Sequence, residues 1–532
     1  MLAWLALMAC ALPARPKTPA PTQPAPPAAS VPSAQPPSGA AAPAFAFGVE
    51  YMLPGLAATY AQLGARWVRS SASTFSWGTI EPQALRSPGQ HDYRWDSADR
   101  LVREWQEAGF GIQIQTNANN AWASSQAKHH VPDPDFLDDW EAFVLNLVER
   151  YDHDGDRDMP GLKAAILAYT VVEERTGYFT GTVEEYLQIL SIAHRAIKRA
   201  NPDARVRLVD LFMIDVFDGN PSPDEVARRA AIDHVLRHPM SEVQELLRHP
   251  DLFDIVEVHA LGDYTELYAT ADWLRGEMGK NGYRKPLWIG DALAVSSLIM
   301  SRGARGLLPG ATDADFYTVA PIRPHDAVRT IRWLEVIKDA RAAEHEPALA
   351  WWRALQASDT VKKLVVAIHA GYAGMNYAWL ADSPLVQLPR ITGSWGYQGL
   401  VDGELDVRTQ TWRATAQRPA FHTYKLAIAK LDGYTDVERL DLAPGSYAYR
   451  FLVRGRPVYV LWRDPGRLYF PDEEPPAPVP VRLPFPAAQA TVTHLITGIG
   501  QSTPRTEVVA ASAGHLTVTV GPVPIFVETA GS

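Results

Sequence analysis

Short apolar runs alternate with longer amphipathic stretches from residue 45 onward, and this alternation restricts the possible folds more than any other feature of the chain. Runs such as Ile255-Val256-Glu257-Val258 are typical of strands that are covered on both faces, as in parallel sheets. The predicted strands are residues 46–52, 65–71, 111–117, 166–172, 206–212, 255–261, 286–292 and 374–380. The predicted helices include residues 97–108, 135–151, 183–200 and 226–247. Because parallel strands need crossover helices, this order predicts an α/β fold, a (β/α)8 TIM barrel over residues 45–434.

The pattern changes after about residue 435, where helical periodicity gives way to short alternating runs. These runs are residues 447–453, 457–461, 490–495 and 516–520. Such alternation, with closely spaced turns, predicts a small C-terminal antiparallel β-sandwich over residues 435–532. Within the barrel, the stretch from 292 to about 323 is long for a connection, and we expect it to form a lid over the active site.

The first 44 residues have a different character from the rest of the chain. The apolar leader of residues 1–10 ends in Leu7-Met8-Ala9-Cys10, which resembles the lipobox of bacterial lipoproteins, whose cysteine is lipidated. No Lys or Arg precedes this apolar run, so we expect the natural start to lie upstream. Residues 11–44 are rich in Pro and Ala and predict an extended, disordered tether. We therefore expect a secreted protein anchored to the bacterial cell envelope at Cys10; a chance cysteine in an apolar leader is the alternative.

Charge and residue content exclude several classes of partner. The net charge is −10 and no basic stripe is present, whereas nucleic acids are bound by clustered Lys and Arg. No zinc, phosphate-loop or nucleophile-elbow pattern occurs, and we expect neither a cofactor nor a metal. The acidic run 152–158 lacks the Glu that an EF-hand needs at its twelfth position, where Lys163 stands. A solvated turn is expected there, with a cation site of another kind as the alternative.

Polar residues occur at the predicted C-terminal ends of the barrel strands, where the active sites of such barrels lie. Strand four ends in Glu173 and Glu174, strand six in His259, and strand seven in Asp291. Paired carboxyl groups at this face are typical of enzymes that use acid/base chemistry. Glu174 also has a structural interpretation as a helix-start or salt-bridged carboxylate, and Asp291 as a capping residue.

Several segments carry a resemblance to a known group of proteins: residues 63–69, Phe75-Ser76-Trp77, residues 253–259 and residues 285–289, in that order. The order resembles that of the clan A glycoside hydrolases, particularly β-xylosidase-like and cellulase-like members and their lipoprotein relatives. Segment 63–69 followed by Phe75-Ser76-Trp77 is similar to the second strand of that group and the loop beyond it. Segments 253–259 and 285–289 are similar to its sixth and seventh strands. The resemblance covers nearly everything from residue 46 onward, and it implies an O-glycosyl hydrolase that acts on oligo- or polysaccharides.

That group ends strand four in Asn-Glu, with the Glu as general acid/base, and ends strand seven in a nucleophilic Glu. The resemblance therefore implies that Glu174 is the acid/base and that Asp291 is the nucleophile or a base. Two positions depart from the pattern, because Glu173 replaces the Asn and Asp291 replaces the Glu. Since Asp is one methylene shorter than Glu, we expect the gap between the carboxyl groups to widen, which favours inversion or lost catalysis over direct attack.

The candidate substrate-binding residues are Glu173, His259, Trp379, Asn117, Asn119, Trp122, Arg69 and Tyr264. Core packing is the structural alternative for Trp379, and Arg69 is better suited to orient a carboxylate than to touch a sugar. Three hypotheses follow: a glycosidase with Glu174 as proton donor, a non-catalytic carbohydrate-binding protein on the same barrel, and a structural envelope lipoprotein. The separation of Glu174 from Asp291 distinguishes the first two.

Overall fold

The computed structural model describes residues 45–85, 89–125, 131–174, 179, 181–209, 211–213, 216–232, 238–293, 324–383 and 394–531. Cys10, the predicted tether and all but the first two residues of the predicted lid lie outside these ranges. Among the described residues, no helix combines the length and apolarity needed to cross a bilayer.

Eight parallel strands form one sheet. They are β1 (Ala46–Glu50), β2 (Trp67–Arg69), β3 (Gly111–Thr116), β4 (Ala168–Val171), β5 (Arg205–Arg207), β6 (Val256–Ala260), β7 (Leu287–Leu293) and β8 (Gly374–Ala378). Their order in the sheet is β5-β4-β3-β2-β1-β8-β7-β6. Parallel bridges from Arg207 to Ile255 and from Leu211 to Val258 join β5 to β6 and close the sheet. The predicted (β/α)8 barrel is confirmed, and each predicted strand overlaps an observed one.

Helices alternate with these strands. They are α1 (Ala57–Ala61), α2 (Trp77–Ile80), α3 (Asp96–Glu107), α4 (Leu137–Glu149), α5 (Val183–Ala200), α6 (Pro223–Ala230), α7 (Met240–Leu246), α8 (Glu266–Lys280), α9 (Pro324–Lys338), α10 (His345–His369) and α11 (Pro419–Leu431). Sequence dictates the ends of α5, because Thr182 and Glu185 form a capping box at its start and Lys198 and Arg199 lie in its last turn.

The prediction of one helix over residues 226–247 is wrong. The structure instead has α6, which ends at Ala230, and α7, which begins at Met240 directly after Pro239. A proline inside a helix loses a backbone hydrogen bond and clashes with the preceding turn, so Pro239 can start a helix but cannot continue one. The apolar periodicity of the segment did not reveal this interruption.

Antiparallel strands make up the C-terminal part. A hairpin of β9 (Val401–Asp406) and β10 (Thr411–Gln417) precedes α11. The sandwich strands are β11 (Tyr434–Arg439), β12 (Ser446–Val453), β13 (Arg456–Arg463), β14 (Val479–Pro484), β15 (Gln489–His494), β16 (Thr506–Ala510), β17 (His515–Val520) and β18 (Ile525–Thr529). Six strands form one sheet in the order β11-β12-β13-β18-β15-β16, and β14 pairs with β17. The predicted β-sandwich is confirmed.

The sandwich packs directly on the barrel. Side chains of β12 and β13, among them Phe451 and Trp462, belong to the same apolar cluster as the barrel core. The sandwich interior forms a second cluster that includes Leu483 and Val492. A shared apolar core fixes the sandwich against the barrel, and this packing helps to hold the barrel strands, and the residues at their ends, in position.

Candidate active site

The structure brings Glu174, His259 and Asp291 together at the C-terminal face of the barrel. One carboxylate oxygen of Glu174, one oxygen of Asp291 and one ring nitrogen of His259 lie within 4.8 Å of one another. His259 and Asp291 are buried, whereas the Glu174 side chain is 22% exposed. Of the two carboxyl groups, Glu174 is therefore the one with access to solvent.

Glu174 follows β4 in an unusual backbone conformation. Val172 and Glu174 have φ angles of 71° and 30°, a region that L-residues rarely occupy. Strained positions of this kind occur preferentially at functional sites, where the surrounding structure holds them. At this strand end the chain turns sharply, and Glu173 and Glu174 come to lie on the barrel face.

The tautomer of His259 follows from its two neighbours. A guanidinium nitrogen of Arg69 lies 3.3 Å from His259 Nε2, and Arg can only donate hydrogen bonds. Nε2 is therefore the acceptor, and Nδ1 carries the proton. Nδ1 lies 2.6 Å from Glu174 Oε1 and donates to it. Arg69 thus fixes the ring that orients Glu174, and Oε2 remains available for proton transfer.

A network of charged side chains lies inside the barrel and contacts this site through Arg69. Arg69 donates to Glu50 Oε1 at 2.6 Å and lies 3.4 Å from Glu257 Oε1, and all three side chains are fully buried. Arg207 lies 3.5 Å from Glu257 on the other side. Thr170 donates to Glu257 Oε2 at 2.8 Å. Arg69 and Arg207 thus contact Glu50 and Glu257, and such contacts offset part of the cost of burying polar and charged groups.

The pKa values of two neighbours follow from this environment. Burial raises the pKa of Glu50 well above its usual range; Arg69 opposes this shift, and the charge of Asp291 adds to it. Burial, together with the nearby carboxylate of Glu173, also raises the pKa of the Tyr51 hydroxyl. Tyr51 therefore keeps its proton and can donate it in a hydrogen bond.

Asp291 reaches the site because strand β7 is irregular. The register between β6 and β7 shifts from the Val258–Ile289 pair to the His259–Asp291 pair, so β7 has one extra residue, Gly290. A β-carbon on Gly290 would lie 2.0 Å from Glu257 Oε1, so only glycine fits beside that buried carboxylate. A bulge of this kind re-aims the next side chain, and here it carries Asp291 towards Glu174.

The carboxyl groups of Glu174 and Asp291 come close to each other although Asp291 has the shorter side chain. One oxygen of Glu174 lies within 4.8 Å of one oxygen of Asp291, and retaining glycosidases place their two carboxyl groups about 5–5.5 Å apart. Inverting enzymes leave about 6.5–9.5 Å for a water molecule. The extra residue in β7 lies directly before Asp291, so strand pairing as well as side-chain length determines where this carboxylate lies.

Glu173, Asn117 and Trp379 lie around the same cluster. The Asn117 side chain accepts a hydrogen bond from the backbone N–H of Glu173 at 2.9 Å. Tyr51 donates to Glu173 Oε1 at 3.1 Å, and its ring centroid lies 5.8 Å from that of the partly exposed Trp379. Glu173 thus accepts a hydrogen bond on the barrel face, at the position where the resemblance implied an Asn.

Asn119 and Trp122 lie along the loop after β3. The carbonyl of Asn119 accepts a hydrogen bond from Gly78 at 3.0 Å. The indole of Trp122 donates to the carbonyl of Glu81 at 2.9 Å, and its ring centroid is 5.0 Å from that of Trp77. These contacts hold the loop in place, and none of them joins either side chain to Glu174 or Asp291.

The assignment of Tyr264 to substrate binding requires correction. Its side chain is 4% exposed, and its hydroxyl donates to Asp464 at 2.7 Å. Its ring also makes edge contacts with Tyr447 and Trp462 of the sandwich. Tyr264 therefore joins the barrel to the sandwich, since both its ring and its hydroxyl are used in that contact.

Sequence reasoning missed Glu50, Tyr51 and Arg207 as members of the site's surroundings. A charged residue inside a barrel strand was the available signal for Glu50 and Arg207, and Tyr51 carried no such signal. Partners across a closed barrel are far apart in sequence, so this signal does not show which charges meet.

The Glu174, His259 and Asp291 atoms are also close enough to hold a metal ion. However, the 2.6 Å hydrogen bond joins Glu174 directly to His259, and Arg69 occupies the other ring nitrogen. These contacts favour proton transfer over metal ligation at this face.

By sequence, the chain matches no family profile and no curated protein. By structure, it is similar to a family 39 glycoside hydrolase from the gut symbiont Bacteroides cellulosilyticus WH2, with a TM-score of 0.55, 12% identity and coverage of 92% of this chain and 81% of that one. It is also similar to a monomeric β-xylosidase from Caulobacter crescentus CB15, with a TM-score of 0.52, 14% identity and coverage of 92% of this chain and 98% of that one. A glucosidase from Croceicoccus marinus is similar with a TM-score of 0.54, 12% identity and coverage of 93% of this chain and 98% of that one. The chain therefore has the fold of the clan A glycoside hydrolases.

Proposed function

We propose that this protein hydrolyses O-glycosidic bonds with retention of configuration, with Glu174 as general acid/base and Asp291 as nucleophile. The observation that carries the proposal is that one oxygen of Glu174 lies within 4.8 Å of one oxygen of Asp291 at the C-terminal face of the barrel. The similar solved structures, named as a glycoside hydrolase, a β-xylosidase and a glucosidase, support a carbohydrate substrate.

The proposed reaction has two steps. In the first step, Glu174 Oε2 gives its proton to the glycosidic oxygen as the bond to the anomeric carbon breaks. A carboxylate oxygen of Asp291 attacks that carbon and forms a glycosyl ester. In the second step, Glu174 takes a proton from water, the water oxygen attacks the anomeric carbon, and the Asp291 carboxylate leaves. Each step inverts the anomeric carbon, so the product retains the configuration of the substrate.

The surroundings of the pair suit these roles. His259 donates to Oε1 of Glu174 and holds that carboxyl group in one orientation, which shortens the search for a productive geometry. Asp291 is 5% exposed, and a poorly hydrated carboxylate is the better nucleophile once substrate has displaced water. Trp379 offers a partly exposed ring on which a sugar can stack.

The test is hydrolysis of a panel of aryl glycosides and polysaccharides by the wild type, Glu174→Gln and Asp291→Asn. Glu184→Gln, an exposed change on α5, is the matched control. We expect turnover by the wild type and the control, and a loss of at least about 10²-fold in each site variant, the lower range for a general acid/base. Full activity in either site variant would refute the assignment.

The second candidate is a carbohydrate-binding protein without catalysis, and one observation favours it. Glu173 accepts a hydrogen bond from Tyr51 at the position where the related enzymes place an Asn. An ionised Glu cannot donate to a sugar hydroxyl, so transition-state contacts that depend on such a donor would be lost. Saturable sugar binding without turnover on any substrate would favour this candidate.

We also propose attachment to the bacterial cell envelope through lipidated Cys10, followed by the tether of residues 11–44. The lipobox-like tetrapeptide supports this location. Expression of the full chain in a bacterial host tests it, because a lipoprotein enters the detergent phase and Cys10→Ser does not. Equal partitioning of both proteins would contradict the anchor.

A further inference from the structure

The loop of residues 152–158 lies on the barrel face opposite Glu174 and Asp291. It follows α4 and leads towards β4, and a connection from a helix to the next barrel strand lies at the N-terminal end of the strands. Residues on that face stabilise the barrel rather than take part in catalysis. The acidic run noted in the sequence is therefore separate from the active site.

Three carboxylates converge within this loop. One oxygen each of Asp152, Asp154 and Asp158 lies within 4.8 Å of the others. Asp158 accepts hydrogen bonds from the backbone N–H groups of His153 at 2.9 Å and Gly155 at 2.8 Å. These bonds fix the loop in a shape that turns its acidic side chains towards one another.

Asp152 is the member of the cluster that points to a ligand. It is 6% exposed, and its Oδ1 atom accepts no hydrogen bond from any residue within the described ranges. A buried carboxylate oxygen without a partner costs free energy unless something else satisfies it. The orphaned Oδ1 atom of Asp152 therefore marks a place where a ligand from solution can be bound.

The two arginines of this segment contact other carboxylates. Arg150 forms an ion pair with Asp99, and Arg157 lies 2.6 Å from Glu149 and 3.4 Å from Asp156. In the described part of the chain, no ion pair joins either arginine to Asp152, Asp154 or Asp158. Within the described residues, these three acidic groups therefore have no arginine partner.

We propose that Asp152, Asp154 and Asp158 bind a Ca²⁺-like divalent cation that stabilises the connection between α4 and β4. Carboxylate oxygens are the ligands of hard cations, and Ca²⁺–oxygen distances of about 2.3–2.6 Å allow opposite ligands to lie roughly 4.6–5.2 Å apart. Mg²⁺ holds its ligands at about 2.0–2.1 Å and demands stricter geometry, so this cluster suits Ca²⁺ better. Backbone carbonyls and water supply the remaining ligands. The absent EF-hand Glu does not exclude such a site, because the cluster uses a shorter segment.

Calorimetric titration of CaCl₂ into the EDTA-treated full chain tests the proposal, with the melting temperature measured in parallel. We expect one saturable site and a higher melting temperature with Ca²⁺ than with the same concentration of Mg²⁺. Asp154→Asn should weaken Ca²⁺ binding at least tenfold, while its amide oxygen still accepts the bond from Asp156 N–H that Asp154 Oδ1 accepts at 2.8 Å. Asp152→Asn should have the same effect.

Asp156→Asn is the matched control, because it removes one negative charge from the same loop but lies outside the cluster. It should bind Ca²⁺ within about twofold of the wild type. Melting curves in EDTA establish that each variant is folded. No saturable heat with the wild type would overturn the proposal, as would equal Ca²⁺ affinity in Asp152→Asn, Asp154→Asn and wild type. Equal weakening by Asp156→Asn would overturn it too, since it would indicate diffuse attraction rather than a site.

Discussion

Replacement of Arg69 by Met should be one of the most destabilising single changes in the barrel. The Arg69 side chain is fully buried, donates to Glu50 at 2.6 Å, and lies 3.4 Å from Glu257. Met keeps the apolar stem but removes the cation, so one buried carboxylate loses its partner. Removing one member of a buried ion pair costs about 3–5 kcal/mol. Glu257 keeps Arg207 at 3.5 Å, so the loss is concentrated on Glu50.

Urea unfolding, compared at equal m values, measures this loss. The matched control is Arg66→Met, whose guanidinium is 78% exposed and lies 3.6 Å from Asp432. Exposed pairs contribute about 0–1 kcal/mol, so the control should unfold almost as the wild type does.

A second change separates lost charge pairing from lost packing. Glu50→Gln in the Arg69→Met background removes the unpaired carboxylate and should recover about 1 kcal/mol or more. The reasoning is refuted if Arg69→Met costs no more than the exposed control. It is refuted equally if Glu50→Gln deepens the loss.

Three other predictions test single contacts. Burial, with repulsion from Arg439, lowers the pKa of His369 to about 4. Between about pH 6.5 and pH 4 the unfolded chain therefore binds more protons than the folded chain does. As the pH drops through this window, the free energy of unfolding should fall by up to about 3 kcal/mol. Urea midpoints for His369→Gln should show a weaker pH dependence, and an unchanged slope would contradict the assignment. Tyr264→Phe should cost about 1–3 kcal/mol of stability with an unchanged KM, because its hydroxyl bonds Asp464; a raised KM at full stability would restore its substrate role. Gly290→Ala should destabilise by about 1–3 kcal/mol and lower kcat, since its β-carbon would meet Glu257; a melting temperature equal to that of the wild type would argue against the close packing.

The fold could be predicted from the sequence because local patterns determine it. A strand buried on both faces needs a continuous apolar run, and the runs at residues 255–261 and 286–292 overlap the observed β6 and β7. The interrupted helix at residues 226–247 was missed because apolar spacing persisted across Pro239. In this segment the exclusion of proline from helix interiors determined the structure, and the helical spacing of apolar residues did not.

The site could be predicted only in part. Position at a strand end identified Glu174, His259 and Asp291, since the strands of a parallel barrel all point to one face. The contacts of Arg69 with Glu50 and of Tyr264 with Asp464 depend on barrel closure and on docking of the sandwich, respectively. Neither is encoded in a local pattern. The irregular β7 that carries Asp291 forward likewise arises from pairing with two neighbouring strands.

The most direct test of the proposed mechanism is to determine the anomeric configuration of the first-formed product. Proton NMR can monitor the anomeric signals during hydrolysis of an active substrate. Because the Glu174 and Asp291 oxygens lie within 4.8 Å, we predict that the first sugar released has the configuration of the substrate and changes only by later mutarotation. Initial release of the opposite anomer would show that water attacks directly, and it would contradict the role of Asp291 as nucleophile.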